Sequence, residues 1–257
     1  MKKNKLVFLV VFLLVAIGLV FIAKGSTKNE PQTPQEKKKS DIPLEKRPYV
    51  SLTPSVDGHT LSLGVLFPEG ASSLDYKLIY LADGLQQGVS GTSITPSEGE
   101  RFASQDLLLG TCSKGVCKYD KNVEEGELSI EMEYEKEYGE FTAHFRYYQP
   151  KVESLSSTDG NLIFKPQTPL AGYSIVMETV GLPEKVQGKP LSNPLGIFSS
   201  DKKEHEGQLT LLVSNLSSQV ALLARRNETW ETIPVTVTSD VIEATTSASS
   251  TFLVVER

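Results

Sequence analysis

The residues best placed to do chemistry are a cysteine pair and a row of carboxylates. Cys112-Ser-Lys-Gly-Val-Cys117 holds both cysteines of the chain. Gly115 permits a tight turn between them, and in an oxidising compartment the two thiols pair. Closing so short a loop stabilises by only about 2 kcal/mol, so the main effect is to fix the loop's shape. The spacing is not Cys-x-x-Cys, which argues against a thioredoxin-like redox role. Two cysteines also exclude a Cys-rich zinc module and a disulfide-dense scaffold.

Glu127, Glu131, Glu133 and Glu135 sit two or four residues apart around Ser129, so in a strand they share one face. His144 and Arg146 look the same way from a partner strand if the register of the expected hairpin holds. Such a face suits a cation or a basic ligand. It equally suits a solvated surface of Glu–Arg pairs. Calcium ligands converge from loops rather than line a strand, and glycoside hydrolysis needs two carboxyls at a fixed separation across a cleft. The chain has three histidines, His59, His144 and His205, which leaves few members for a triad or a metal site. Gly88-Val-Ser-Gly-Thr lacks the final glycine of a nucleophile elbow. No catalytic residue, metal or cofactor is expected. Asn215-Leu-Ser and Asn227-Glu-Thr match the glycosylation acceptor pattern, which matters only in a host that glycosylates.

Leu107-Leu-Leu-Gly-Thr-Cys112 is similar to the segment that ends in the catalytic cysteine of sortases, which are also anchored, external and β-rich. The resemblance implies Cys112 as nucleophile, His59 as acid/base partner and an arginine for the oxyanion. The sequence departs from that pattern, because no arginine occurs between Cys112 and Arg146.

What positions these residues begins with the N-terminus. Residues 6–23 are 18 uncharged, apolar residues, roughly 27 Å of helix, close to the thickness of a bilayer's hydrocarbon core. Lys2, Lys3 and Lys5 lie on the five-residue tail before it, which places residues 1–5 in the cytoplasm and the bulk of the chain outside. Cleavage near Ala23-Lys24-Gly25 would give a secreted protein instead. Residues 24–48 are rich in Pro, Lys, Glu and Ser, and read as a flexible linker with a reach of roughly 25–30 Å. Residues 1–48 hold 10 Lys/Arg against 4 Asp/Glu, a net +6, and the rest 16 against 28, a net −12. An acidic globular part repels phosphate backbones, which argues against a nucleic-acid partner.

From residue 49 onward the periodicity is that of strands. Alternation over 59–67, 128–134 and 141–147 marks half-buried strands, the last two joined as a hairpin. Further strands are expected at 50–54, 75–83, 86–94 (an edge strand), 161–165, 173–180, 208–214, 220–225, 230–237 and 251–256. Strand count, spacing and the Asp75-Tyr76-Lys77-Leu78-Ile79-Tyr80 run resemble an immunoglobulin or fibronectin type III module over residues 49–149. Residues 150–257 form a second β-rich unit, with Leu222 and Trp230 on facing strands and Trp230 as a core anchor. No repeat between the two halves is apparent. The expected fold is therefore all-β, two tandem sandwiches behind a membrane helix and a linker. The expected role is a non-enzymatic surface module that binds an extracellular protein or glycan. An anchored sortase-like enzyme and an accessory subunit of a membrane complex are the alternatives.

Overall fold

The computed structural model describes residues 42–134, 138–201, 203–214, 216, 219–226, 228–248 and 251–257. The apolar run 6–23, most of the linker, Glu135, Asn215 and Asn227 lie outside the described residues.

Among those described, one 3-10 turn at Leu44–Lys46 accompanies a fold made of strands. The first half contains β1 (Tyr49–Pro54), β2 (Thr60–Leu66), β3 (Ala71–Ala82), β4 (Leu85–Ile94), β5 (Phe102–Leu108), β6 (Gly110–Ser113), β7 (Val116–Tyr119), β8 (Val123–Tyr134) and β9 (Tyr138–Tyr148). The second contains β10 (Leu155–Ser156), β11 (Leu162–Pro166), β12 (Ser174–Glu178), β13 (Lys189–Pro190), β14 (Leu195–Ser199) and β15 (Glu206–Leu212). It closes with β16 (Val220–Arg226), β17 (Thr229–Ile233), β18 (Thr236–Thr238), β19 (Val241–Ser247) and β20 (Thr251–Glu256).

Two small sheets, β1-β2-β5 and β10-β11-β15-β19-β18, flank one long sheet. The long sheet runs β17-β16-β20-β14-β12-β9-β8-β3-β4 and crosses the boundary expected at 149/150, because β9 pairs with β12. Two large cores are present, and they share a wall. Ile175 and Met177 belong to the core under β1-β2-β5, while Val176 belongs to the core under the five-stranded sheet. Successive strand residues point to opposite faces, so the two small sheets cover opposite faces of the long one. Burial on both faces explains why β12 reads as a continuous apolar run rather than an alternation. The described residues belong to a single compact unit.

A third apolar cluster, Leu182, Ala221, Leu253 and Val255, has Trp230 packed against it. Leu222 and Trp230 do lie on paired strands, opposite Ile233 and Arg225 respectively. Trp230 is partly rather than fully buried. The run expected as one strand at 230–237 breaks at Pro234 into β17 and β18, which join different sheets. The last part of the expected linker is packed. Ile42 is buried, Arg47 Nε donates to the Ile42 carbonyl at 2.8 Å, and the Tyr134 hydroxyl donates to the Lys46 carbonyl at 2.8 Å.

One local repeat emerges from the hydrogen bonds. Ser55-Val-Asp57-Gly-His-Thr60 and Ser157-Thr-Asp159-Gly-Asn-Leu162 form the same turn, each closing the first hairpin of its half. In both, the serine hydroxyl donates to the aspartate, the aspartate accepts the backbone N–H two residues on, and the serine Oγ accepts the N–H five residues on.

Candidate functional site

The outer face of β8 and β9 carries the carboxylate row. The register sets Glu127 opposite His144, Glu125 opposite Arg146, Ser129 opposite Thr142 and Glu131 opposite Glu140. His144 lies between two carboxylates: Nε2 is 3.7 Å from Glu127 and Nδ1 is 3.7 Å from Glu178 on β12. The histidine is about half exposed and Glu178 a quarter exposed, so the pair forms an open, acidic-flanked site rather than a buried triad. Arg146 reaches Glu125 at 3.2 Å and donates to the Ser156 hydroxyl at 2.8 Å. The Tyr148 hydroxyl donates to the Ser156 carbonyl at 2.9 Å and accepts from its backbone N–H at 2.7 Å. Arg146 and Tyr148 thereby tie β10, the edge of the five-stranded sheet, to the long sheet.

That edge makes a step. The face of the long sheet is open over β3, β8 and β9 and is covered from β12 onward. At the foot of the step lies a shallow hollow of about 410 Å³, bounded by Ile79, Leu81, Gln86, Glu125, Glu127, His144 and Thr158. Its floor is apolar and its rim is acidic. Next to Thr158 stands Asp159. Burial alone would raise its carboxyl, but hydrogen bonds from Ser157 and from the backbone and amide of Asn161 hold it below the usual carboxylate range. Glu131 and Glu133 stand farther along β8, away from His144. There Tyr138 is pushed up by burial, by a hydrogen bond to Glu131, and by the charges of Glu131, Glu140 and Asp75.

The sequence-derived set therefore divides. Glu127, His144 and Arg146 gather at the step, and Glu131 and Glu133 form a separate acidic strip. Glu125 and Glu178 belong to the site and were not in the set. Glu125 was legible, since it precedes Glu127 by one strand period. Glu178 comes from a distant strand and carried no local signal.

At another part of the first half, β6 and β7 form a hairpin whose strand residues are almost all exposed. Cys112 and Cys117 are bonded, directly opposite each other, with Cα atoms 4.0 Å apart. The turn Lys114-Gly115 has φ of +50° and +80°, the type I′ geometry that matches strand twist. The bonded pair is one rung behind the turn, a non-hydrogen-bonded position where facing Cα atoms approach most closely. Gly110 opens the hairpin at φ +143°, and a Cβ there would strike the Lys118 carbonyl. His59 stacks on Tyr119 with centroids 3.7 Å apart and also faces Asp57 at 3.2 Å. While the disulfide is closed Cys112 has no thiolate to offer, and Arg146 is engaged by Glu125 and Ser156. His205 pairs with Asp201 at 3.1 Å, and both side chains are mostly buried. Among the described residues, no three His, Cys, Asp or Glu side chains converge to hold a metal ion.

Comparison of the chain with protein-family models, with curated proteins and with solved structures finds no match.

Proposed function

We propose that this chain is a membrane-anchored, extracytoplasmic binding module that presents the acidic step around His144 to a cationic segment of another protein. The observation that carries the reading is the site's composition. Glu125 and Glu127 rim an apolar floor of Ile79 and Leu81 beside His144, and Glu178 flanks the histidine on its other side. A lysine or arginine stem packs on such a floor while its charged head meets the carboxylates. The apolar run 6–23 supports the anchor. The disulfide supports an oxidising, external compartment. The order β1-β2-β5 against β4-β3-β8-β9 supports an immunoglobulin or fibronectin type III-like first sandwich, with β6–β7 as an added hairpin. Modules of that kind bind through sheet faces, edges and loop tips.

The test uses an oligolysine peptide as probe and the full chain in mild detergent. Paired reversal at Glu125→Lys and Glu127→Lys is expected to weaken binding at least tenfold. Paired reversal of Glu98 and Glu100, exposed on the loop between β4 and β5, changes the net charge equally and is expected to leave it within twofold. Equal losses in both variants would mean that only net charge matters, and would refute the site.

A further inference from the structure

The edge strand β4 has a feature the rest of the surface lacks. It is ten residues long, Leu-Gln-Gln-Gly-Val-Ser-Gly-Thr-Ser-Ile, and contains neither a charge nor a proline, in a chain with 23% charged residues. Long edge strands are ordinarily blunted by charges, prolines, bulges or covering segments, because their free backbone groups recruit further strands. The other ends of the sheets are blunted. β17 carries Glu231, β5 carries Asp106, and β18 and β10 are only three and two residues long. The outer edge of β1 is met by a bridge from Tyr49 to Val180. Among the described residues no strand pairs with the outer edge of β4.

The hairpin register tells which groups are free. β3 and β4 are joined by the two-residue turn Asp83-Gly84, with φ of +50° and +72°. Ala82 and Leu85 flank that turn as a pair, which makes it a hydrogen-bonded pair, and bonded pairs then alternate along the ladder. Leu85, Gln87, Val89 and Gly91 therefore bond to β3. Gln86, Gly88 and Ser90 point their N–H and C=O groups outward, and all three are exposed. The register breaks at the far end, where β4 sets Thr92 and Ser93 against Asp75 as a bulge, with Ser93 at φ +56° and its N–H donated to the Asp75 carboxylate, so the regular part of the edge runs from Leu85 to Gly91.

We propose that β4 is a homotypic docking edge, on which a second copy of this chain pairs antiparallel around a two-fold axis at Val89. The row is its own complement. With the axis at Val89, Gly88 of each copy faces Ser90 of the other, so outward groups meet outward groups across the regular part of the edge. About four backbone hydrogen bonds result, two for each of these two pairs. Val89 meets its own copy at the axis, on the face where it already packs against the first core. Like charges set opposite each other are what normally prevents a strand from pairing with itself, and β4 has none to set. The nearest like pair on the acidic face is Lys77 with its copy, three strand spacings apart or roughly 14 Å. That exceeds the screening length of about 8 Å at physiological salt.

Once Cys112 and Cys117 are bonded the chain has no other cysteine, so Ser90→Cys adds a single free thiol. The full-length S90C chain, in cells and in mild detergent, is treated with a short bismaleimide. A covalent species of twice the chain mass is expected. Adding Gln86→Lys and Thr92→Lys, both at exposed positions, is expected to reduce it at least tenfold, because both copies then bring lysines to the shared edge. A circular dichroism spectrum equal to that of S90C would show that the lysines spare the fold. No dimer in S90C, a dimer indifferent to the two lysines, or an adduct with a protein of another mass would each overturn self-pairing.

Discussion

Ile175 and Val176 are neighbours in the chain and belong to two different hydrophobic cores. With Met177 they make β12 a wall that both halves press against, and the Leu52 N–H reaches across the first core to the Met177 sulfur at 3.2 Å. Neither core is complete without this strand. The two halves are thereby joined into one compact body.

Loss of packing in the first core is therefore expected to be felt in the second. Leu63 is fully buried in the first core, and Leu63→Ala removes about 2–5 kcal/mol. Trp230 reports from the other half. Its fluorescence midpoint in denaturant is expected to shift together with the far-UV signal, in one transition. Two separate transitions, with the Trp230 step unmoved, would show that the halves fold independently.

Opening the disulfide is expected to be mild. The bonded pair closes a short hairpin whose strands pack little on either core. Replacing both cysteines by alanine should lower global stability by no more than about 2 kcal/mol and leave the far-UV spectrum unchanged. Amide exchange is expected to rise at Gly110–Tyr119 alone.

Glu131 and Glu140 face each other across β8 and β9, and like charges in that position destabilise. Glu140→Lys converts the contact into an attractive pair and is expected to add roughly 0.2–1 kcal/mol to stability, read from the urea midpoint.

The acid limb of the stability profile should carry the signature of Asp159. Its carboxyl is held below the ordinary value by Ser157 and Asn161 despite burial. A depressed folded value means stability that is present above an unfolded value of about 3.9 and lost as pH falls through the folded value. Asp159→Asn is therefore expected to be less stable than wild type near neutral pH, and the two should converge as pH falls through the lowered folded value. A constant gap across that range would assign the loss to packing rather than to the charge.

Much of the first half was legible because its strands have one wet face. β2, β8 and β9 alternate, and alternation states both the element and its buried side. That same alternation put His144 and Arg146 on the face of the carboxylate row, while the pairing of Glu127 with His144 came from the register. β4 declared itself an edge through its glycines and polar residues. The second half was harder for a physical reason. β14 is five residues long, lies just after Pro194, and is buried without alternation, so period and length say nothing about it. β5 and β19 mix polar and apolar residues without a dominant face. Pro234 was read as lying inside a strand, although it cannot donate to a ladder and in fact marks where the chain changes sheet. Glu178 could not be found locally, since only the β9–β12 pairing brings it to His144. The Ser-x-Asp-Gly turn was present twice in the sequence, but its equivalence rests on hydrogen bonds that few shared letters announce.

The claim that most needs testing is that this body is displayed outside the membrane. Intact cells would be exposed to a protease and to a membrane-impermeant maleimide, with and without mild reductant, and the Cys112–Cys117 peptide followed by mass spectrometry. The account predicts that the β-rich body is shaved from outside and that its cysteines label only after reduction. A protected body with freely labelling thiols, seen once the cells are opened, would contradict it and put the acidic step in the cytoplasm.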